Sequence, residues 1–338
     1  MPNDWSRTAV LVFACNRPAY LQRSLNSIFS HMADHALPVF VSQDGTHKGV
    51  SKVIQSWSPN VYHLQHMGRK QYTLSRHVRP GYFHIALHYK WALGRVFGAG
   101  YRNVIVLEDD LEIASDFYDY FRACLPLLEQ DPSIWTISAW NDFGYGAYAR
   151  DPKRLYRSDF FPGLGWLMTD ALWRELGESW PDGFWDEWMR KPKQRQGRVA
   201  IRPEVSRTYT FGKKGVSGGQ YFNKFLRNIR LNPKAVDFKA MDLSYLLKDK
   251  YDTEFQQAVS NADRVKDPAG CIKDAAADQK LVYRNADEFK RIAKQFGLMW
   301  DFWSDVPRTA YQGVVVVPNG NYDVFIVPDN FEASIPKS

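Results

Sequence analysis

The chain is predicted to be an α/β protein built on a doubly wound parallel sheet. Three observations predict it: continuous apolar runs in the first third of the chain, helix-period apolar stripes between them, and acidic residues placed directly after the runs. Runs that are apolar at every position suit strands buried on both faces, and stripes with a 3.6-residue period suit the helices that cover them.

Residues 9–14 (AVLVFA) are the first such run. Leu21, Leu25, Ile28, Phe29 and Met32 follow on one helical face. Residues 38–42 (PVFVS) read as the second strand, and a helix near 84–97 leads into the third, residues 104–107 (VIVL). Sheets of this kind bind ligands beyond the carboxyl ends of their strands. Neither a GxGxxG after the first strand nor a Walker sequence is present, which argues against NAD and ATP. Beyond about residue 240 the texture changes. Helical patterns over 243–259 and 287–296 precede β-rich runs at 314–317 and 322–327, and Pro318-Asn319-Gly320-Asn321 between them signals a hairpin. The expected organisation is a large domain over 1–212, a mobile Gly-rich loop over 213–225, a linker over 226–248 and a smaller α+β domain over 249–338 that ends in the hairpin.

The 338 residues suffice for a sizeable core. Aromatic residues make up 15% of them, including 12 Trp. Such rings fill cores, and they also stack on the C–H faces of sugars. A net charge of +7 suits acidic ligands. It does not point to nucleic acid, because no run of five or six basic residues occurs. No stretch of 18 apolar residues and no signal peptide is visible, so no membrane span is expected in this chain. Of the three cysteines, Cys124 shares an apolar helical face with Phe117, Tyr120, Phe121 and Leu128 and is expected in the core.

Glu108-Asp109-Asp110 directly follows the third strand. Three acids at that position suit a hard divalent cation bridging carboxylate to phosphate, or a plain solvated turn. Asp44 closes the second strand and suits a uracil or ribose contact, or an Asx-turn before Gly45. Arg17, just past the first strand, suits a base or phosphate, or is an exposed charge. In 184–188 (FWDEW) two acids lie among three aromatics. Enclosure by rings would desolvate Asp186 and fit it for general-base work, whereas the alternative makes it a helix N-cap. Residues 213–219 (KKGVSGG) suit a loop that closes over a diphosphate, or an ordinary surface loop.

Taken together, residues 104–121 (VIVLEDDLEIASDFYDYF), 137–144 (ISAWNDFG), 159–167 (DFFPGLGWL), 184–197 (FWDEWMRKPKQRQG), 201–220 (IRPEVSRTYTFGKKGVSGGQ) and the VSQD ending at Asp44 resemble the N-acetylglucosaminyltransferase I family. The resemblance runs from about residue 9 to the C-terminal hairpin. It implies a GT-A fold, a large nucleotide-sugar-binding catalytic domain, an inverting mechanism, UDP-GlcNAc as donor, Mn²⁺ as cofactor and a mannose-terminated glycan or glycoprotein as acceptor. By position it implies Asp110 as metal ligand, Asp186 as catalytic base, and Arg17, Asp44, His88, Glu108, Asp109 and Ser217 on the donor side. Trp185 and Trp140 are the candidates for stacking on the acceptor sugar.

The same resemblance implies disulfides, yet Gly45, Thr136 and Ala200 stand where cysteines are expected, so the bridge that Cys15 would make is not expected to form. The family implies a Golgi lumen for a catalytic fragment free of its anchor, and the missing cysteines favour a cytoplasmic alternative. An O-linked mannose or another mannoside is the alternative acceptor, and a non-catalytic sugar- or nucleotide-binding homologue the alternative class.

Overall fold

The computed structural model describes residues 4–32, 35–67, 80–213, 215–219, 221–266, 268–271 and 276–331. The first apolar run becomes β1 (Thr8–Ala14), buried along its whole length, followed by α1 (Pro18–Ser30). Pro18 opens that helix at a position where its missing N–H costs nothing. Then come β2 (Val39–Asp44), α2 (Lys48–Ser56), β3 (Val61–His66), α3 (Pro80–Gly98) and β4 (Asn103–Glu108). β5 (Leu111–Ile113), α4 (Phe117–Cys124), α5 (Leu127–Gln130), β6 (Ile134–Ser138), β7 (Leu155–Ser158) and β8 (Trp166–Thr169) follow. α6 (Asp170–Leu176), α7 (Trp185–Met189), α8 (Pro192–Arg195), β9 (Val199–Pro203) and β10 (Thr208–Thr210) complete the larger part.

Eight strands form one sheet in the order β3-β2-β1-β4-β8-β6-β9-β7. β3, β2, β1 and β4 are mutually parallel, as the apolar runs predict, but β8 and β7 run antiparallel to their neighbours. The sheet is therefore mixed. Side chains of β1 alternate between its two faces: Val10 and Val12 pack with α1, α2 and α4 residues, Leu11 and Phe13 with α3, α6 and α7 residues. Within α1, Leu21, Leu25 and Ile28 are fully buried, the stripe that its periodicity predicts. Cys124 is likewise in the core. The pattern that joined it to Leu128 is not one helix, however. Pro126 stands between α4 and α5 and cannot continue an i→i−4 ladder.

The C-terminal part holds α9 (Lys248–Asn261), β11 (Asp263–Arg264), β12 (Gln279–Tyr283), α10 (Ala286–Gln295), β13 (Phe302–Trp303), β14 (Val306–Pro307), β15 (Val315–Asn319) and β16 (Tyr322–Pro328). A four-stranded sheet runs β11-β12-β16-β15. Asn319 pairs with Tyr322, so the hairpin turn is Gly320-Asn321, with Gly320 at φ 69°. Helical structure begins only at Lys248 in the segment read as 243–259, because Ser244–Leu246 is a separate 3₁₀ turn.

The core of this part, including Leu281, Phe289, Val315 and Ile326, continues into Trp140, Phe143 and Tyr145. Trp140 is 0% exposed. Its assignment as an acceptor-stacking ring is corrected: a ring with no exposed face cannot meet a sugar, and here it joins the two cores. None of Cys15, Cys124 and Cys271 is in a disulfide. Among the described residues no helix is long and apolar enough to cross a membrane.

Candidate active site

The acids after β4 stand where the sheet topology aims a ligand. Phe13 of β1 pairs with Glu108 in parallel register, and the N–H of Asp109 donates to the carbonyl of Phe13 at 2.9 Å. The two chains leave the sheet side by side, so Arg17, four residues past Phe13, reaches the acids. Its guanidinium pairs with Asp109 and donates Nη1 to Asp110 Oδ2 at 2.9 Å, while lying 5.0 Å above the ring of Tyr20. Asp109 is 2% exposed and Asp110 13%, so Asp110 is the more open of the two.

Among the described residues Arg17 is the cation paired with these acids, and burial shows in their protonation. Burial pushes Glu108 up to about 7, Asp110 adds repulsion, and the Tyr89 hydrogen bond and Arg17 oppose it. Burial also pushes Asp109 up to about 7 against the pull of Arg17. For Arg17 burial disfavours the charge, but Asp110 and Asp109 outweigh it and hold the pKa above the usual arginine value. Both Glu108 and Asp109 thus bind their proton more tightly folded than unfolded. The resulting stability is fully present below the ordinary values of 4.5 and 3.8 and is lost as pH rises through about 7. Thermal melts of the metal-free protein are therefore expected to fall in temperature from about pH 4.5 to about pH 7 and to level off above it, with a shallower slope in Glu108→Gln. An unchanged slope in that variant would contradict the assignment.

Tyr89 of α3 ties these acids to the helix that carries Asp186. Its hydroxyl donates to Glu108 Oε1 at 2.8 Å, and its ring lies between Phe13 (3.8 Å) and Trp185 (4.4 Å). Burial raises the Tyr89 pKa first, and the negative charges of Glu108, Asp110 and Asp186 add to it. Trp185 is 7% exposed and packed against Tyr89, Trp166 and Trp180. Its assignment to acceptor stacking is corrected as well, since neighbouring rings already cover it.

Asp186 follows Trp185 on a five-residue helix whose N-cap is Phe184, at φ 49°. Asp186 is therefore not the cap. Nor is it enclosed by aromatics: its side chain is 40% exposed and accepts from Arg190 Nη1 at 2.9 Å. The enclosure that the flanking rings suggested is not found, because Trp185 turns inward while Asp186 turns out. Arg190 is 8% exposed, donates Nε to the carbonyl of Phe161 and packs on Phe160, with Trp303 of the C-terminal part 5.7 Å from its guanidinium. Trp303 is half-buried, and its Nε1–H donates to Asp301 at 2.6 Å.

A buried polar cluster lies at the ends of β2 and β3. Asp44 pairs in register with His66 and accepts from its Nδ1 at 3.0 Å. Ser42 Oγ lies 2.7 Å from His88 Nε2, and the His66 and His88 rings stack at 5.2 Å. Phe13 touches both His88 and Tyr89, so a single β1 side chain lies between this cluster and the ring that holds Glu108. Ser217 lies exposed in the turn over 215–219, two residues beyond Gly215, where a Cβ would lie 4.0 Å from Arg17 Nη1. Lys214 and Gln220 of the Gly-rich segment lie outside the described residues.

The structure thus brings together Arg17, Glu108, Asp109 and Asp110, links them through Tyr89 and Trp185 to the helix that carries Asp186, and sets Asp44 and His88 on the other side of Phe13. Sequence reasoning missed Tyr89, His66, Arg190 and Trp303. His66 was hidden because the half-polar run VYHLQH did not read as a strand, and the other three are recognisable only through contacts distant in sequence.

Comparison with known proteins places the chain. It is 43% identical over 320 residues to alpha-1,3-mannosyl-glycoprotein 2-beta-N-acetylglucosaminyltransferase of Arabidopsis thaliana, spanning 91% of this chain and 70% of that one. Solved structures give partial likenesses. A TarS fragment from S. aureus in complex with UDP shares 14% identity with a TM-score of 0.41, covering 60% of this chain and 59% of that one. An active-site mutant of LgtC shares 16% with a TM-score of 0.34, covering 55% and 64%. Superpositions this partial carry no functional weight. The sequence match to the family extends over residues 3–335, and the chain belongs to the GNT-I family.

Proposed function

We propose that the chain transfers N-acetylglucosamine from UDP-GlcNAc to the 2-hydroxyl of a terminal α-mannose on an N-glycan, with inversion to a β1,2 linkage. Beyond family membership, the observation that supports this most is the bridge through Tyr89, which hydrogen-bonds Glu108 at the end of β4 and stacks on Trp185, so that the part-exposed Asp110 and the solvent-facing Asp186 are carried by elements packed on one ring. Asp186 accepts the proton of the mannose 2-hydroxyl as that oxygen attacks C1 of the donor sugar. The C1–O bond to UDP breaks on the opposite face, and its electron pair leaves with the diphosphate. One base is enough for a single displacement. Arg190 holds the Asp186 carboxylate at one oxygen and leaves the other for the acceptor. Trp303, half-buried beyond Arg190, offers the acceptor-side ring that Trp140 and Trp185 do not.

The residues present fit a divalent cation of the Mn²⁺ type. Among the described residues no three acid, histidine or cysteine groups gather into a self-contained metal cage. What the strand end offers is one part-exposed carboxylate, Asp110, with oxygen donors only, which suits a hard cation completed by substrate phosphates and water. Bound there, it would supply Lewis-acid neutralisation of charge on the departing UDP. Arg17 orients Asp110, and Asp44 with His88 receives the nucleoside.

The test is incubation with UDP-GlcNAc, Mn²⁺ and a panel of mannosides, with the product linkage read by NMR. A β1,2-linked product on an α-mannose is expected; an α linkage, or no transfer to any mannoside, would overturn the reading. Chelation is expected to abolish transfer and added Mn²⁺ to restore it, and full turnover in a chelated sample would remove the metal from the proposal.

A further inference from the structure

Gly212 follows β10 at the start of the Gly-rich loop, and its φ lies outside the left-handed region. The backbone conformation there does not call for glycine, unlike Gly218 and Gly219 at φ +65° and +69°. What Gly212 provides is room. A Cβ added to it would fall inside the envelope of Asp110 Oδ2, 2.7 Å from Cγ and 3.0 Å from Cβ of the same residue. The carboxyl arm of Asp110 therefore lies along the Cα of Gly212.

Neither side of this contact is free to withdraw. β5 and β10 form a two-stranded antiparallel ladder that pairs Leu111 with Thr210, and the Phe211 N–H donates to the Asp110 carbonyl at 3.0 Å. The Phe211 ring is held edge-on by Tyr20 at 5.3 Å and lies 4.0 Å from the guanidinium of Arg23, which is itself fixed by two hydrogen bonds to Glu112. On the far side, Arg17 holds Asp110 Oδ2 and packs on Tyr20. Asp110, Arg17, Tyr20, Phe211 and Gly212 make a closed ring of contacts, in which the one missing side chain is at 212.

We infer that Gly212 is a positioning residue for Asp110: the empty volume at its Cα sets where the carboxylate sits, and any side chain at 212 turns that carboxylate away from Arg17 and from an incoming cation. The inference rests on Asp110 as the carboxylate that meets a metal-bound diphosphate. It adds that the start of the loop and the acid occupy one shared volume, so the path of the loop at 211–212 dictates the acid's orientation.

The test uses the full chain as wild type, Gly212→Ala, Asp110→Ala and the double variant. Mn²⁺ uptake is followed by electron paramagnetic resonance with UDP present, and thermal unfolding is measured without metal. Gly212→Ala is expected to weaken Mn²⁺ uptake by about tenfold or more, the scale of losing a group that orients a metal ligand, while UDP affinity without metal stays within about twofold. In the Asp110→Ala background the same change is expected to have no further effect on Mn²⁺, because it acts through a carboxylate that is already gone. Gly212→Ala is also expected to lower the melting temperature more in the wild-type background than in the Asp110→Ala background, where the shortened side chain relieves the clash. Wild-type Mn²⁺ uptake by Gly212→Ala, or an equal loss of melting temperature in both backgrounds, would overturn the inference. If wild-type protein takes up no Mn²⁺ with UDP, the metal reading falls on its own, and the melting comparison still decides whether Gly212 positions Asp110.

Discussion

Asp186→Asn is expected to slow turnover by about 10²–10⁴-fold, the usual cost of losing a general base, while leaving the affinity for UDP nearly unchanged. The reasons are local. Asparagine has the same shape, so the oxygen that accepts from Arg190 Nη1 can be kept. Arg190 does not depend on Asp186 for its place, because it also donates to the Phe161 carbonyl and packs on Phe160. The neighbouring Trp185 stays in its stack with Tyr89, Trp166 and Trp180, so the helix does not move. What disappears is the lone carboxylate oxygen that can take a proton. Steady-state kinetics together with calorimetry of UDP binding separate the two effects. Turnover within a few-fold of wild type would make Asp186 a structural partner of Arg190 and place the base elsewhere.

The strands that carry the donor side were legible because they are apolar at every position. β1, β2 and β4 announce themselves in 9–14, 38–42 and 104–107, and the acids and Asp44 come into view as the polar residues directly after them. β3 was not legible: its pattern leaves Tyr62 and His63 exposed and buries only Val61 and His66 at its ends, so no alternation or apolar run marks it. β7 and β8 are four residues each, too short for periodicity to separate from loop, which is why the sheet read as parallel when it is mixed. Trp140 and Trp185 show the limit of composition. Excess aromatic residues serve sugar sites and cores alike, and only burial tells which. Asp186 shows the complementary failure, since three neighbouring rings in sequence say nothing about the direction in which the acid points. Tyr89 and Gly212 owe their roles to partners 19 and 102 positions away, Glu108 and Asp110, and no local pattern records such a pairing.

The largest expected loss of stability comes from a buried ion pair upstream of the same ladder. Arg207 and Asp116 are 0% and 1% exposed. Arg207 donates to Asp116 Oδ2 at 3.1 and 3.3 Å, to the Val205 carbonyl at 2.7 Å, and also to the carbonyl of Pro152. Asp116 Oδ2 accepts in addition from Asn232 Nδ2 at 2.9 Å and from the Val236 N–H at 3.2 Å. Four stretches of chain, at 116, 152, 205–207 and 232–236, are therefore held by two opposite charges with almost no water. Arg207→Met keeps much of the bulk but leaves a buried carboxylate with amide donors alone and two carbonyls without their donor. Removing one partner of a buried pair costs roughly 3–5 kcal/mol, mainly because the other charge is left uncompensated. The midpoint of denaturant unfolding measures it. A loss below about 1 kcal/mol, the range of exposed pairs, would show that water or a neighbour takes over the carboxylate. The double variant Arg207→Met with Asp116→Leu is expected to recover only part of the loss: no buried charge is left to solvate, but the Val236 N–H and the Val205 and Pro152 carbonyls lose these partners. Because Arg207 directly precedes β10 and its carbonyl accepts from the Ala114 N–H at 2.9 Å, the single variant should also loosen the ladder that sets Gly212 against Asp110, lowering turnover along with stability, and the double variant should raise both together, in part.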